Sequence, residues 1–550
     1  MPKRSFSKKF DSDSESYDAE EVDSATDSDD MLKVGVSSSI TSKSARRKKK
    51  IQKLDASSSN TSVSQEINIG GLPHSKSSHV IGTSAPIRLA LLEWYKTVHD
   101  TRGMPWRKPY DPTRDPDERA QRAYEVWVSE IMLQQTQVAT VIPYYTRWME
   151  KFPTIQHLAE ASIDQVNALW KGLGYYSRAS RLLAGAQKVV TEYGGILPGN
   201  AKDMETNIPG IGRYTAGAIC SIAYNEQVPV LDGNVHRLLS RLLALHSSPK
   251  AKFTQDILWS AATAMVEIGS SSSTELSDST GQYAGDVNQA LIELGSTVCK
   301  VREPNCESCP LRTWCSAYQN SVAKTNGESK PILDIEDICQ ICEPLTSFEG
   351  VTSFPMKANR KKAREELDLV NVIEWQSSSR PKDRVFLLTR RPEGGLLAGL
   401  YEFPTCDNVS KTLKPVAQEK LGRDILADLV QCTSEQTISK IIPIGDVVHV
   451  FSHIRKTYRV QWVIVKGGLA PPKVSSNKMP HEIERALGKS TKGKGKTKNF
   501  TIPTQRLQND AIIWVPLNEV AEANMGTGVV KVWNLTKEMW EKGEDSKVLK

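Results

Sequence analysis

Cys299-Lys300-Val301-Arg302-Glu303-Pro304-Asn305-Cys306-Glu307-Ser308-Cys309-Pro310-Leu311-Arg312-Thr313-Trp314-Cys315 spaces its thiols as Cys-x6-Cys-x2-Cys-x5-Cys. Four soft thiolates this close can hold one compact metal centre. The candidates are tetrahedral zinc and a cubane [4Fe–4S] cluster. Structural zinc more often takes two Cys-x2-Cys pairs separated by a longer loop. Here a single close pair is flanked by one cysteine on each side.

Upstream of this loop, from Ile87 to about Tyr318, the pattern is helical. Apolar residues recur at three and four, as in Leu89, Leu92, Tyr95, then Val126, Ile131, Leu133, then Val166, Leu169, Trp170, Leu173. Breaks fall at Pro198-Gly199-Asn200 and Pro209-Gly210. The serine run Ser270–Ser273 within 269–281 reads as a surface loop. Downstream, 321–365 is a polar connector. Beyond it the texture turns β-rich, at Val370–Trp375, Arg384–Leu388, Val447–Phe451 and Arg459–Val465. Helices are expected near Val416–Leu421, at Leu517–Ala523 and from Val529, which makes residues 366–550 an α+β domain. A stretch at 467–505, with five lysines between Lys489 and Lys498, interrupts it as a mobile basic insertion.

At 550 residues the chain is long enough for two folded domains plus tails, and 39% hydrophobic content with 12 Trp supports real cores. Residues 1–82 are Ser-, Asp- and Lys-rich and read as a disordered tail. Ten acidic residues crowd 11–30, so the net charge of +7 leaves about +17 on the rest. A body that basic suits a polyanion such as nucleic acid. Lys3-Arg4 and Arg46-Arg47-Lys48-Lys49-Lys50 look like import signals, so the nucleus is the expected compartment and the mitochondrion a second one. No apolar run is long enough to span a bilayer, no secretory core is seen, and the cysteines lack a disulfide framework. The expectation is a reducing interior, no membrane and a monomer.

Two segments carry the chemistry. Ile208-Pro209-Gly210-Ile211-Gly212-Arg213-Tyr214-Thr215-Ala216-Gly217 is a tight turn opening a helix, suited to a DNA phosphate through Gly210 and Gly212. Val230-Leu231-Asp232-Gly233-Asn234-Val235 follows. Upstream, Val126-Trp127-Val128-Ser129-Glu130-Ile131-Met132-Leu133-Gln134-Gln135-Thr136-Gln137-Val138 sets an acid among apolar helix positions, which is costly unless the acid has a task.

These segments together resemble the MutY family of adenine DNA glycosylases, in the endonuclease III-like superfamily, over roughly Ile87 to Cys315. The resemblance implies an all-α helix-hairpin-helix domain at 83–320 whose cysteine loop, Cys299, Cys306, Cys309 and Cys315, carries a [4Fe–4S] cluster. It implies that Glu130 protonates adenine while Asp232 opposes the sugar cation, the two-carboxylate logic of glycoside hydrolysis. Asn234 and Tyr214 complete the site. Gln134, Gln135, Thr136 and Tyr175 meet the duplex, with Gln135 as the wedge beside the lesion and Tyr175 stacking into DNA. Gln289 reads the flipped adenine. Endonuclease III-type enzymes carry a lysine where Tyr214 stands, and a tyrosine cannot form a Schiff base. A monofunctional glycosylase is therefore expected.

Gly394-Gly395-Leu396-Leu397-Ala398-Gly399-Leu400-Tyr401-Glu402-Phe403-Pro404 and His449-Val450-Phe451-Ser452-His453 resemble the MutT/nudix-like domain of the same family. This implies that Phe451, Ser452 and His453 contact an 8-oxoguanine opposite the adenine. The paired glutamates of a nucleotide-hydrolase metal box are missing after Glu402, so pyrophosphatase activity is not expected. Cys339 and Cys342 form a second Cys-x2-Cys. Some animal members of the family hold zinc in this linker, yet only two thiols are visible where zinc wants four ligands. Two metal-free cysteines fit equally. The expected partner is duplex DNA containing A:8-oxoguanine or A:G, with room for other repair or replication proteins; no clear clamp-binding motif is present. An endonuclease III-like oxidised-pyrimidine glycosylase/lyase and a non-catalytic iron–sulfur DNA-binding protein are the competing readings. Tyr214 speaks against the first, and the paired Glu130 and Asp232 against the second.

Overall fold

A computed structural model describes residues 74–268, 282–326, 338–345, 347–357, 362–378, 384–392, 397–451, 453–475 and 511–548. Most of the N-terminal tail, the serine loop, Gly394-Gly395, Ser452 and most of the basic insertion lie outside these residues. In chain order the helices are α1 (Ser84–Val98), α2 (Pro116–Leu133), α3 (Val138–Lys151), α4 (Ile155–Ala159), α5 (Ile163–Trp170), α6 (Ser177–Tyr193), α7 (Ala201–Asn207), α8 (Arg213–Tyr224), α9 (Gly233–Leu242), α10 (Lys252–Val266), α11 (Ala284–Thr297) and α12 (Ser316–Asn326). The chain divides into two compact units. One holds residues up to 102 and 220–358, the other 103–219 and 359–550.

In the first unit, α1, α9, α10 and α11 share one core that includes Leu91, Leu239, Leu258 and Leu291. The buried face of α1 is Ile87, Leu91, Leu92 and Tyr95, whereas Leu89, expected inside, is 49% exposed. An amphipathic stripe read from spacing alone can slip by one position on a helix of 3.6 residues per turn. The tail boundary also moves. Residues expected to be disordered up to 82 carry a 3-10 turn, Lys76–His79, and Ser75 bridges Ile338. The connector is likewise partly folded, since Val351 and Phe354 are buried beside Ala317.

In the second unit, α2 begins at a capping box, Asp115 and Glu118, with Pro116 in the first turn. Tyr124 on its buried side accepts from Trp148 Nε1 at 3.2 Å, and the Trp148 and Trp170 rings pack edge to face at 5.6 Å. The hairpin between α7 and α8 closes through Ile211 N–H to Ile208 O at 3.2 Å, with Gly210 at φ +81°. A Cβ on Gly210 would stand 2.7 Å from Arg181 Cβ, so both the turn and its neighbour demand glycine.

The rest of this unit is a sheet with helices on both faces. Its strands are β1 (Arg364–Gln376), β2 (Arg384–Arg390), β3 (Tyr401–Glu402), β4 (Thr405–Cys406), β5 (Val430–Gln431), β6 (Thr437–Val450), β7 (Ile454–Lys466), β8 (Lys473–Val474) and β9 (Ile512–Pro516). The order is β3-β2-β1-β7-β6, with β4 on β1 and β9 on β2; β1 and β7 run parallel, while β5 pairs β8 apart. Period-two alternation on β1 sends Val370 and Val372 to one core and Ile373 and Trp375 to the other. The second core includes Leu426 and Leu429 of α13 (Pro415–Leu429); the first includes Val529, Val532 and Trp533 of α14 (Thr527–Val548). The helix expected at Leu517–Ala523 is instead a run of turns. The carbonyls of Ala521 and Ala523 accept from Lys171 Nζ at 2.6 and 3.3 Å rather than from a continuing helix. Arg390 pairs with Asp164 at 3.0 Å nearby.

Candidate active site

Glu130 lies in the last turn of α2, between the buried residues Ser129 and Ile131. Its Oε2 accepts from Tyr214 O–H at 2.9 Å. Tyr214 is the second residue of α8, so the hairpin that Gly210 permits also delivers the phenol to the acid. Two of the expected site residues, Glu130 and Tyr214, are thus in direct contact.

Beside it, Gln134 and Gln135 are exposed where α2 ends, and Gln135 adopts φ +52°. Thr136 closes the turn through its N–H to Leu133 O at 3.2 Å. Tyr175 is 44% exposed at φ +47°. Arg178 touches both loops: Nη1 donates to Gln134 O at 2.6 Å and Nη2 to Gly174 O at 3.2 Å.

Asp232 is the N-cap of α9, its Oδ1 accepting from Val235 N–H at 2.7 Å and its Oδ2 from Asn234 Nδ2 at 2.8 Å. Burial pushes its carboxyl above the usual range, while the Val235 and Asn234 bonds and the charge of Arg237 pull the other way. Arg237 Nη2 donates to Asn234 Oδ1 at 3.0 Å, and its Nε donates to Cys299 O at 2.9 Å. A chain of polar contacts therefore runs from the acid to the first cysteine of the loop. Asn288 braces the approach to Asp232 by accepting from Val230 N–H at 3.1 Å. Gln289 is buried and its Nε2 donates to Gly285 O, one turn back on α11. Arg237 and Asn288 went unread in the sequence; an arginine amid the leucines of α9 and an asparagine beside Gln289 were the available signals.

Cys299, Cys306, Cys309 and Cys315 line one recess, together with Arg241 and Leu311. Burial pushes the thiols of Cys309 to about 12 and of Cys315 to about 11. Arg241 Nη1 donates to Cys299 Sγ at 3.3 Å, and its other contacts reach the Lys300, Val301 and Phe354 carbonyls. A guanidinium can only donate, so the Cys299 sulfur is the acceptor in this contact.

The second Cys-x2-Cys is more complete than expected. His74, His79, Cys339 and Cys342 place their donor atoms within 4.8 Å of one another. His79 Nδ1 faces Leu243 O at 2.9 Å, which turns Nε2 toward His74 Nε2 at 3.1 Å and toward the Cys339 and Cys342 sulfurs at 3.4 and 3.3 Å. Burial holds His79 below the usual imidazole range and pushes the Cys342 thiol to about 12. The histidines escaped notice because they lie in a segment that composition assigns to the tail.

At the other end of the chain, Phe451 and His453 flank the tip of the β6–β7 hairpin. Phe451 N–H donates to Ile454 O at 2.8 Å, and its ring packs edge to face on His449 at 4.5 Å. Val450 is 66% exposed there.

Residues 128–263 match the HhH-GPD superfamily of base excision DNA repair proteins, and residues 379–535 match the NUDIX domain. The chain is similar to the adenine DNA glycosylase of Rattus norvegicus, 42% identical over 69% of this chain and 70% of that protein. It is equally similar, at 42%, to the adenine DNA glycosylase of Homo sapiens over 69% of this chain and 67% of that one. A solved thermostable thymine-DNA glycosylase is 25% identical over 42% of this chain and 95% of its own, with a TM-score of 0.34. With a helix-hairpin-helix turn, a four-cysteine recess and a nudix-type sheet in one sequence, the chain belongs to the adenine DNA glycosylase family.

Proposed function

We propose that this DNA glycosylase removes adenine paired with 8-oxoguanine, or with guanine, and leaves the backbone uncut. The observation that carries the reading is the Tyr214–Glu130 hydrogen bond. It places a phenol, not an amine, beside the acid, so water rather than the protein is the nucleophile. The flipped adenine leaves as a neutral base only if its ring is protonated, and Glu130, steadied by Tyr214, supplies that proton. The sugar left behind is oxocarbenium-like, and the Asp232 carboxylate, fixed by Val235 N–H and Asn234, opposes its charge. Phosphates anchor on the Gly210–Gly212 turn, and Phe451, Ser452 and His453 read the oxidised base.

We assign a [4Fe–4S] cluster to Cys299, Cys306, Cys309 and Cys315, which line one recess in the uneven spacing of the family's loop and whose first sulfur meets a cation. A cluster bound there would frame the loop whose carbonyls Arg237 and Arg241 already hold. Zinc is assigned to His74, His79, Cys339 and Cys342, two imidazoles and two sulfurs whose donor atoms lie within 4.8 Å of one another, the four-ligand set zinc takes. Zinc bound there would tie the segment before α1 to the connector. The basic patches in the tail support entry into the nucleus.

The deciding experiment is a duplex panel, A:8-oxoguanine, A:G and thymine glycol, with and without alkali. Adenine release with strand breaks only after alkali is expected. Cleavage of thymine glycol without alkali, with borohydride trapping, would overturn the reading in favour of an oxidised-pyrimidine glycosylase/lyase.

A further inference from the structure

Arg178 is the second residue of α6, it is buried, and the catalytic reading gives it no task. A cation there opposes the positive end of the helix dipole and loses its hydration. Burial lowers its guanidinium to about 10. What offsets this is a set of acceptors from two separate loops. Nη1 donates to the carbonyls of Ile131 at 2.8 Å, Met132 at 3.0 Å and Gln134 at 2.6 Å. These are groups that the end of α2 leaves without helical partners. Nη2 donates to Thr136 Oγ1 at 3.4 Å, Leu173 O at 3.3 Å and Gly174 O at 3.2 Å. The guanidinium also lies 5.5 Å from the Tyr175 ring centroid.

Each loop holds a side chain in a backbone conformation that L-residues avoid. Gln135 sits at φ +52° and Tyr175 at φ +47°, and both are exposed. Such turns persist only when their surroundings over-determine them. We infer that Arg178 is a positioning residue: one planar fork braces the two strained turns that present Gln135 and Tyr175, so that both enter the duplex in a fixed mutual geometry. This rests on the reading that these two side chains open the base stack. A lysine cannot replace the fork, because a single ammonium cannot span both loops.

The test compares wild type with Arg178→Lys in single-turnover release of adenine from an A:8-oxoguanine duplex. The same duplex is then used with mismatched pairs flanking the adenine, so that its stack is already open. The variant should be slower on the paired duplex by roughly 10- to 100-fold, the order seen when a positioning contact is lost. Most of that loss should disappear on the opened duplex, with affinity for undamaged DNA unchanged. In a Tyr175→Ala background the lysine substitution should add little, because the two act through one step. Equal losses on both duplexes, or full additivity, would overturn the inference. Thr136→Val, which removes one acceptor from the turn without entering the core, should show the same substrate pattern at smaller size even if the lysine variant does not fold; no difference between its two substrates counts against the proposal. Fluorescence of 2-aminopurine beside the mispair reads unstacking without cleavage. A wild type that unstacks the probe yet releases no adenine refutes the glycosylase reading and leaves Arg178's role to be judged on the probe.

Discussion

Glu130 and Tyr214 share one hydrogen bond, and it sets what each can do. Glu130→Gln keeps the shape of the acid and removes its proton. Release of adenine should cease while binding to A:8-oxoguanine duplex persists, and a single-turnover assay beside a binding titration checks both. Tyr214→Phe removes only the O–H that holds the carboxylate and should slow release far less. Tyr214→Lys puts an amine next to the acid and should make borohydride trapping detectable where wild type shows little. Substantial release by Glu130→Gln would remove Glu130 from the acid role.

At the scale of elements, the N-terminus of α9 joins the proposed catalytic Asp232 to the four-cysteine loop through Asn234 and Arg237. In the proposed reaction Asp232 works as a carboxylate, so protonation at low pH would disable it. Burial raises its carboxyl, so the acid limb of the rate profile should lie above the range of an ordinary aspartate. Asn234→Ala removes a bond that favours the charged form and should move that limb further up, in a pH series of single-turnover rates. Asp232→Asn should lower the rate by on the order of 10²-fold or more at any pH, the size of a lost electrostatic stabiliser. The strap made by His74 and His79 gives a second element-scale prediction. Purified protein should carry about one zinc besides about four irons per chain, the content of one four-ligand site and one cubane. Cys342→Ser should lose the zinc, keep the iron, and free the segment near residues 74–80 to proteolysis. Iron loss along with the zinc would show that the two sites are not independent.

Across the whole molecule, the nudix-type sheet packs against the helical part of its unit through Arg390–Asp164 and Lys171, and it carries the Phe451–His453 tip. A chain ending near residue 358 keeps Phe354, which Arg241 holds, and keeps Cys339 and Cys342; a cut near Lys330 would lose all three. The longer truncation should still release adenine but lose much of its preference for 8-oxoguanine over guanine. The two bases differ at the N7 hydrogen and the C8 oxygen. One polar contact to such an edge is worth roughly 1–3 kcal/mol, so Ser452→Ala should shift selectivity the same way by less. Rates and dissociation constants on A:8-oxoguanine and A:G at one fixed salt concentration decide it, and a truncation with full preference would show that the sheet is not the reader.

What the sequence determined by itself is whatever depends on near neighbours in the chain. The cysteine spacing, the Pro209–Gly212 turn, the acid among apolar positions in α2 and the tyrosine at 214 are local patterns, and each places its residue on the predicted element. The β-rich runs of the second domain are local too, because alternation with period two is a property of consecutive residues. What only the tertiary structure decided is every partnership across long separations. Arg178 reaches back to the end of α2, Arg237 reaches the Cys299 carbonyl, and His74 and His79 meet Cys339 and Cys342. No periodicity encodes these contacts, because they join residues that only packing, not chain proximity, brings together. The turns at Leu517–Ala523 show the same limit from the other side. Their composition permits a helix, and the carbonyls that would continue it accept from Lys171 instead.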